Sequence, residues 1–270
     1  MTASPVASTA RADVWQLGDA YERYMGRWSR QVAPRFLQWL NIAAARRWLD
    51  VGCGTGALSS AIVEHCAPRS VIGVDPSQGF LAAARARLPA LDWRVGSADE
   101  LPLTDESVDV AASALVLNFV PDPVAALREM ARVTAPDGEV GVYVWDYSHR
   151  MALVRHYWDA AARVDPAVVE RGQDERFALC HPENLSVALI EAGLRSVTVS
   201  AIDIELRFTD FDDYWQPFLA GQGPAPAHAM RLQPAQREHL RELLRARLPV
   251  RADGTIVLNA RAWAGRGIRR

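Results

Sequence analysis

Nine consecutive residues, Trp48-Leu49-Asp50-Val51-Gly52-Cys53-Gly54-Thr55-Gly56, constrain this chain more than any other stretch, because they describe a strand that turns sharply into a helix. Leu49 and Val51 suit a buried strand, and Gly52, Gly54 and Gly56 remove the Cβ atoms that would keep a ligand away from the backbone. Small and apolar residues continue from Ala57 to Val63, so the turn opens a helix whose free N–H groups face the same space. Asp50 sets the sign of what fits there. A carboxylate beside the turn opposes a bound pyrophosphate but accepts hydrogen bonds from an ammonium group; its structural alternative is to tie two backbone amides.

The surrounding pattern predicts a repeated alternation. Strands over Arg47 to Val51, Ser70 to Val74, Leu91 to Val95, Val108 to Ala114 and Glu139 to Trp145 are interleaved with helices over Gly56 to Cys66, Ser77 to Arg87 and Pro123 to Val133. Pro136-Asp137-Gly138 reads as the turn before the fifth strand. Short Val-, Ile- and Ala-bearing strands separated by helices indicate a mostly parallel sheet covered on both faces. Upstream, Tyr21, Tyr24, Trp28, Val32, Phe36 and Leu40 recur at mostly four-residue spacing, predicting a pair of amphipathic helices with Pro34 near the start of the second.

The second half departs from this rhythm. Helices are expected over Met151 to Asp165 and Pro182 to Ala192, a long strand over Arg195 to Phe208 and a last one over Thr255 to Ala264. Between those strands lie Phe211, Tyr214, Trp215 and Phe218, the segment Gly221 to Ala227, and the stripe Leu240, Leu244, Leu248. This reads as a cap over the sheet edge, with Arg237, Arg241, Arg245 and Arg247 on a solvated helix face rather than at an anion site. The expected organisation is a flexible tail over 1–14 and one domain over 15–270, with a helical cover over 15–42 and a cap insertion over 209–252.

Composition mainly excludes. At 270 residues, with 50% hydrophobic residues and a formal charge of -2, nothing draws the chain toward nucleic acid or a membrane surface. All 30 basic residues are Arg, and they do not cluster beside aromatic platforms. Cys53, Cys66 and Cys180 are too scattered for a disulfide framework or a zinc site, and the acids from Glu170 through Asp213 spell no carboxylate cage, so no metal is expected. No GxSxG elbow or HExxH helix suggests a hydrolase. No apolar run approaches the roughly 20 residues that span a bilayer, and Met1 to Ala10 lack a signal-peptide pattern. The expectation is a cytoplasmic monomer or simple homo-oligomer.

A parallel sheet places its ligand beyond the C-terminal strand ends. Asp50, Asp75, Ser97 to Asp99 and Ser113 to Asn118 all fall there. Asp75 follows Val71-Ile72-Gly73-Val74 and lies 19 residues after Gly56, where an acid receives ribose hydroxyls; capping the next helix is the alternative. The glycines run GxGxG rather than GxGxxG, although Ala57 can stand in for the last glycine. With Asp50, this spacing favours an amino-acid-bearing nucleoside over a dinucleotide.

Residues Trp48 to Leu58, Val71 to Pro76 and Gly96-Ser97-Ala98-Asp99-Glu100-Leu101-Pro102 resemble class I S-adenosylmethionine-dependent methyltransferases, particularly the small-molecule group called methyltransferase type 11. Val108-Asp109-Val110, Leu127-Arg128-Glu129-Met130 and Arg132-Val133 continue the resemblance, which covers roughly Tyr21 to Tyr147. It implies a Rossmann-like α/β fold, a seven-stranded mostly parallel sheet sandwiched by helices. It also implies S-adenosyl-L-methionine as methyl donor, direct in-line displacement and S-adenosyl-L-homocysteine as product. By the same resemblance, Asp50, Gly52, Cys53, Gly54 and Gly56 surround the methionine portion, Asp75 binds ribose and Pro76 packs near adenine. Ser97, Ala98 and Asp99 lie near the base, Ser97 standing where many relatives carry Asp. Ser113 and Asn118 border the sulfur, while Tyr24 and Trp28 close over the cofactor.

The acceptor is less defined. Trp145, Tyr147, Tyr157, Trp158, Trp215 and Phe218 are expected to line a pocket for a small molecule, apolar or aromatic, in competition with ordinary core packing. His149 and His156 are candidate proton acceptors, since neutral imidazole is available near pH 7. Two other readings stand beside methyl transfer: a noncatalytic scaffold binding S-adenosylmethionine or its product, and an NAD-dependent oxidoreductase.

Overall fold

A computed structural model describes residues 22–171, 177–220 and 223–270. The expected tail over 1–14, the N-terminal pattern as far as Tyr21, and Gly221 lie outside the described residues. A wide helical turn at Glu22–Gly26 leads into α1 (Arg27–Leu40). Then follow β1 (Arg47–Val51), α2 (Ala57–Cys66), β2 (Ser70–Asp75), α3 (Gln78–Arg87), β3 (Asp92–Val95), β4 (Val108–Ala114), α4 (Pro123–Val133) and β5 (Thr134–Trp145). The later half adds α5 (Ala152–Val164), α6 (Pro182–Glu191) and β6 (Arg195–Phe208), then α7 (Phe211–Trp215), α8 (Pro224–Arg231), α9 (Pro234–Arg247) and β7 (Ile256–Ile268).

The seven strands form one sheet in the order β3-β2-β1-β4-β5-β7-β6. β1 to β5 are parallel where they pair, and β7 runs antiparallel to both β5 and β6. Alternation along the strands feeds two apolar layers. Trp48, Val110, Ala112, Tyr143 and Trp145 pack toward α1 and α2, whereas Leu49, Val51, Ala111, Val142 and Val144 pack toward α4 and α6. The chain reverses its order of travel across the sheet between β1 and β4. The C-terminal ends of β1, β2, β4 and β5 therefore open one crevice.

Three boundaries differ from the sequence reading. Pro34 sits inside α1, not at the start of a second helix. The stripe Val32, Phe36, Leu37 and Leu40 is buried, and that burial outweighs the one helical hydrogen bond Pro34 cannot donate. β5 starts at Thr134 and runs through Pro136-Asp137-Gly138, because the far end of β7 holds that bend: the Asp137 N–H donates to the Arg269 carbonyl at 3.3 Å and the Arg269 N–H to Gly138 at 2.9 Å. β7 continues beyond Ala264 because Gly265 and Gly267 let α6 and its following loop approach. A Cβ would meet Leu189 at 2.7 Å and Leu194 at 2.8 Å.

The helices between β6 and β7 bury Leu240, Leu244 and Leu248, and their arginines have local work. Arg237 donates to the carbonyls of Ala229, Met230 and Leu232, Arg241 pairs with Glu238 and Asp212, and the Arg245 guanidinium lies 4.3 Å from the Phe211 ring. None of the described helices is long and apolar enough to cross a membrane.

Candidate functional site

The crevice at the strand ends encloses about 1010 Å³ including its open mouth. Its floor is the turn after β1. Gly52, Gly54 and Gly56 have φ of +67°, +53° and +84°, so the turn needs residues that enter the left-handed region without a Cβ penalty. At Gly54 an added Cβ meets nothing within 4 Å, so that position faces the crevice directly. At Gly52 it would meet Val116 at 2.3 Å; there the missing side chain admits the loop after β4. Leu115 in that loop also has a positive φ, +65°, and is anchored by its N–H to the Tyr143 carbonyl at 2.8 Å.

Two carboxylates flank the turn in different states. Asp75 lines the crevice and accepts from the Gly54 N–H at 2.9 Å through one oxygen and the Ser77 N–H at 2.8 Å through the other. It thereby ties the glycine turn to the start of α3, and each oxygen retains a second lone pair. Burial raises its pKa against the lowering effect of those two amides. Asp50 lies beneath, fully buried, and does not line the crevice. Its Oδ2 accepts from the Ser59 hydroxyl at 2.6 Å, while Oδ1 has no partner. Burial pushes its pKa up to about 7; the Ser59 hydrogen bonds lower it and the Asp75 charge raises it further. A buried acceptor without a donor costs on the order of 1–3 kcal/mol, so this oxygen suits an incoming cationic donor.

Of the other residues expected around the cofactor, Pro76 lines the crevice. Gly56 lies under Trp93, with the ring 3.2 Å from where its Cβ would be, and Cys53 packs in a small cluster with Leu81 and Trp93; burial raises the Cys53 thiol pKa. Ser113 donates to the Val51 carbonyl at 2.8 Å, a bond that joins β4 to β1 instead of reaching a ligand. Asn118 donates to the Cys180 sulfur at 3.6 Å, leaving its own buried oxygen without a partner. Ser97, Ala98 and Asp99 do not line the crevice; the Ser97 hydroxyl bonds to Asp99, and this loop reaches β2 through the Gly96 N–H on the Asp75 carbonyl at 3.3 Å.

The N-terminal segment places the two residues expected to close over the cofactor against other rings. Tyr24 and Trp28, four residues apart, share a face turned to the cap: Tyr24 meets Phe218 edge-on at 5.4 Å and Trp28 meets Phe208 at 5.1 Å. Trp28 therefore reaches neither cavity, and Met25, one residue around the helical turn, enters the crevice instead.

A second, narrow pocket adjoins the first, enclosing about 320 Å³ including its open mouth, and Met25, Phe119 and Tyr147 line both. Its other walls include Tyr24, Val154, Trp158, Phe177 and Ala225. Phe119, Tyr147 and Phe177 form a packed ring cluster with centroids 4.8–6.3 Å apart. Among the expected acceptor residues, Trp145 lines the crevice, Tyr147 lies at the junction and Trp158 lines the second cavity. Tyr157, Trp215 and Phe218 line neither. Tyr157 stacks on Phe218 at 4.6 Å and Trp215 adjoins the same cluster, so these three rings join α5 to the cap as core. Neither candidate histidine enters a cavity. The His149 side chain is 62% exposed, and His156 is half-buried on α5 with a pKa lowered mainly by burial.

Sequence reasoning missed Met25, Ser77, Phe80, Phe119 and Val120 in the crevice, and Val154, Phe177, Pro224 and Ala225 in the second cavity. Ser77 and Phe80 carried a usable signal, since the first turn of a helix after a strand-end acid faces the same opening. Phe177 and Ala225 carried none, because only tertiary packing brings them beside Phe119 and Val154.

A family model described as a methyltransferase domain matches residues 49–142. An uncharacterized methyltransferase of Mycobacterium tuberculosis is 40% identical over 153 residues, 56% of this chain and 60% of that protein. A demethylmenaquinone methyltransferase of Renibacterium salmoninarum is 32% identical over 145 residues, 54% of this chain and 59% of that protein. The chain thus spans about 60% of the length of these two curated relatives. A phosphoethanolamine N-methyltransferase of Haemonchus contortus, solved with phosphomonomethylethanolamine and S-adenosylhomocysteine, shares the fold: TM-score 0.57 at 15% identity, covering 93% of this chain and 56% of that one.

Proposed function

We propose that the chain is a class I S-adenosylmethionine-dependent methyltransferase of the methyltransferase-11-like group, and that it transfers methyl from S-adenosyl-L-methionine to a small-molecule acceptor by direct displacement, leaving S-adenosyl-L-homocysteine. The observation that carries this reading is the unpartnered, buried Oδ1 of Asp50 beneath the glycine turn. A diphosphate at the glycine turn would meet repulsion from Asp50, whereas a ligand bearing an ammonium satisfies it; Asp75 suits the ribose hydroxyls of either class of ligand.

The residues fit that ligand. Asp50 takes the ammonium, Asp75 takes ribose hydroxyls while keeping its amides, and Gly54 allows close approach of the methionine chain. Pro76 and Phe80 give the base an apolar contact, and Ser97 to Asp99 stand at the neighbouring loop. The sulfonium, when bound, supplies an electrophilic methyl group; the chain's part is to orient the partners and exclude water. Met25, Phe119 and Tyr147 lie where the cavities meet and are the residues we assign to the transfer point. The second cavity, walled by aromatic and aliphatic side chains, then receives an apolar acceptor.

The test begins with titration calorimetry. Saturable binding of S-adenosylhomocysteine, with no binding of reduced nicotinamide dinucleotide at the same concentration, is expected; the reverse overturns the assignment. Incubating small molecules that copurify with the protein with isotopically labelled donor should then shift the mass of one of them by one labelled methyl group. Cofactor binding without any such product across a broad acceptor panel would favour a noncatalytic scaffold.

A further inference from the structure

Behind the second cavity, α5 and α8 are joined by a polar chain, buried at Tyr157 and His228 and partly open to solvent at Asp165 just past the end of α5, that the proposed methyl transfer does not use. The Tyr157 hydroxyl lies 2.7 Å from Nδ1 of His228, and Nε2 of His228 lies 3.3 Å from the Asp165 carboxylate. His228 is 2% exposed, an uncommon setting for an imidazole unless both ring nitrogens are satisfied. One arrangement satisfies the whole chain without a buried net charge on the ring: Nε2–H donates to Asp165, and Nδ1 accepts from the Tyr157 O–H. This fixes both the tautomer and the plane of the imidazole.

The ring is fixed against a wall of the cavity. Its centroid is 5.3 Å from that of Trp158, which lines the cavity, and it meets Tyr157 edge-on at 5.8 Å. On α8, Ala225 stands three residues before His228 and lines the same cavity, so the imidazole packs against one lining residue and shares a helix with another. Phe218, stacked on Tyr157, closes the back.

We propose that His228 is a specificity-determining positioning residue: braced between Tyr157 and Asp165, it holds the Trp158 indole forward and so sets the size of acceptor the second cavity admits. This rests on the reading that the second cavity is the acceptor site. It goes further by naming the residue that limits the acceptor to a small, ring-sized apolar body and the bracing that makes the limit firm. Replacing the imidazole with a smaller side chain frees space directly behind Trp158 and lets the indole retreat. Cavities at well-packed sites collapse only partly, so much of that space adds to the pocket.

The experiment compares the wild type, His228→Ala and Tyr157→Phe, each saturated with S-adenosylhomocysteine, using phenol and 2-naphthol as probes. His228→Ala is expected to shift the ratio of their dissociation constants toward 2-naphthol by about tenfold, the scale on which a pocket resolves small apolar differences. Tyr157→Phe, which keeps the ring stack and removes only the brace, is expected to shift it in the same direction by about threefold. The dissociation constant of S-adenosylhomocysteine should stay within about twofold in both, a separation that general loosening of the fold would not preserve. An unchanged probe ratio in both variants overturns the proposal, and Tyr157→Phe decides alone if His228→Ala does not fold. If the wild type binds neither probe while still binding S-adenosylhomocysteine, the acceptor-site reading is what fails. Xenon-pressurised crystals then decide the brace: new xenon density beside Trp158 in either variant supports it, and a cavity identical to wild type overturns it.

Discussion

Around Gly52–Gly56 the crevice floor is glycine backbone and the Asp75 carboxylate, so a ligand there is met by fixed polar groups. Some of the same crevice's lining residues continue into a cavity where every described wall is an aromatic or aliphatic side chain. The first region derives its shape from covalent neighbours: three glycines with positive φ, and an Asp75 that bonds Gly54 and Ser77. The second derives it from helices brought together at a distance, with Val154 and Trp158 on α5, Phe177 before α6 and Ala225 on α8. The two regions therefore answer differently to substitution. Polar geometry close in sequence tolerates little change, whereas packed rings can be exchanged at modest cost when volume is kept.

The largest expected effect falls on the ring-built side. Trp215 is 3% exposed within the Phe218 cluster, so Trp215→Ala leaves a large void and should cost about 3–5 kcal/mol in urea unfolding. Folded Trp215→Ala should still bind S-adenosylhomocysteine with nearly wild-type affinity, because no ring of the cap cluster touches the glycine turn. A proportionate loss of cofactor affinity would erase the distinction between the two regions. Next comes Asp75→Ala, which removes the anchor of the turn as well as the acceptor we assign to ribose. It should weaken S-adenosylhomocysteine by about 30–100-fold in calorimetry, equivalent to the roughly 2–3 kcal/mol of charge-assisted hydrogen bonds. Its stability loss should be smaller than that of Trp215→Ala, since water can reach the freed Gly54 and Ser77 amides from the crevice.

The same contrast governs how far the sequence could be read. β1 through β5 and the crevice at their ends were legible because strand-helix alternation and a glycine-rich turn are local signals. Asp50 and Asp75 were legible as a pair of acids at strand ends, but their unequal states were not. Only packing puts Ser59 against one oxygen of Asp50 and leaves the other alone. Aromatic richness in the cap was visible as composition, yet composition could not separate Trp158, which lines a cavity, from Tyr157 beside it, which is core. On α5 one residue of offset is a rotation of about 100° and decides the matter.

Asp50 gives a pH test of intermediate size, with two opposite slopes. Its pKa, about 7, lies above the ordinary carboxylate value, so the folded chain holds a proton there that the unfolded chain has already released. Its contribution to stability is therefore fully present below the unfolded value and is lost as pH rises through about 7. Ligand affinity runs the other way, because only the ionised carboxylate pairs with an ammonium. Below pH 7, S-adenosylhomocysteine should bind about tenfold tighter for each unit of pH gained, levelling above about pH 8. Asp50→Asn should remove both slopes, weaken binding above pH 7 and leave the ligand-free protein more stable there than the wild type. Equal pH dependence in Asp50→Asn would assign the titration to another group and remove Asp50 from the polar floor.

The smallest expected effect concerns His149, which belongs to neither region. Its imidazole is mostly exposed and lies 4.0 Å from Asp146, with His181 as its ring neighbour at 5.7 Å. Asp146 does not depend on that ring: it accepts from the His149 backbone N–H at 2.8 Å and from the Trp263 indole at 3.3 Å. His149→Gln should therefore change stability by less than about 0.5 kcal/mol, as exposed substitutions away from special contacts do. Labelled-methyl turnover should stay within about twofold across pH 6 to 8. A tenfold loss confined to turnover, with cofactor affinity intact, would place a proton acceptor at the aromatic cavity. The two regions would then no longer divide into a polar donor site and an acceptor site built by packing alone.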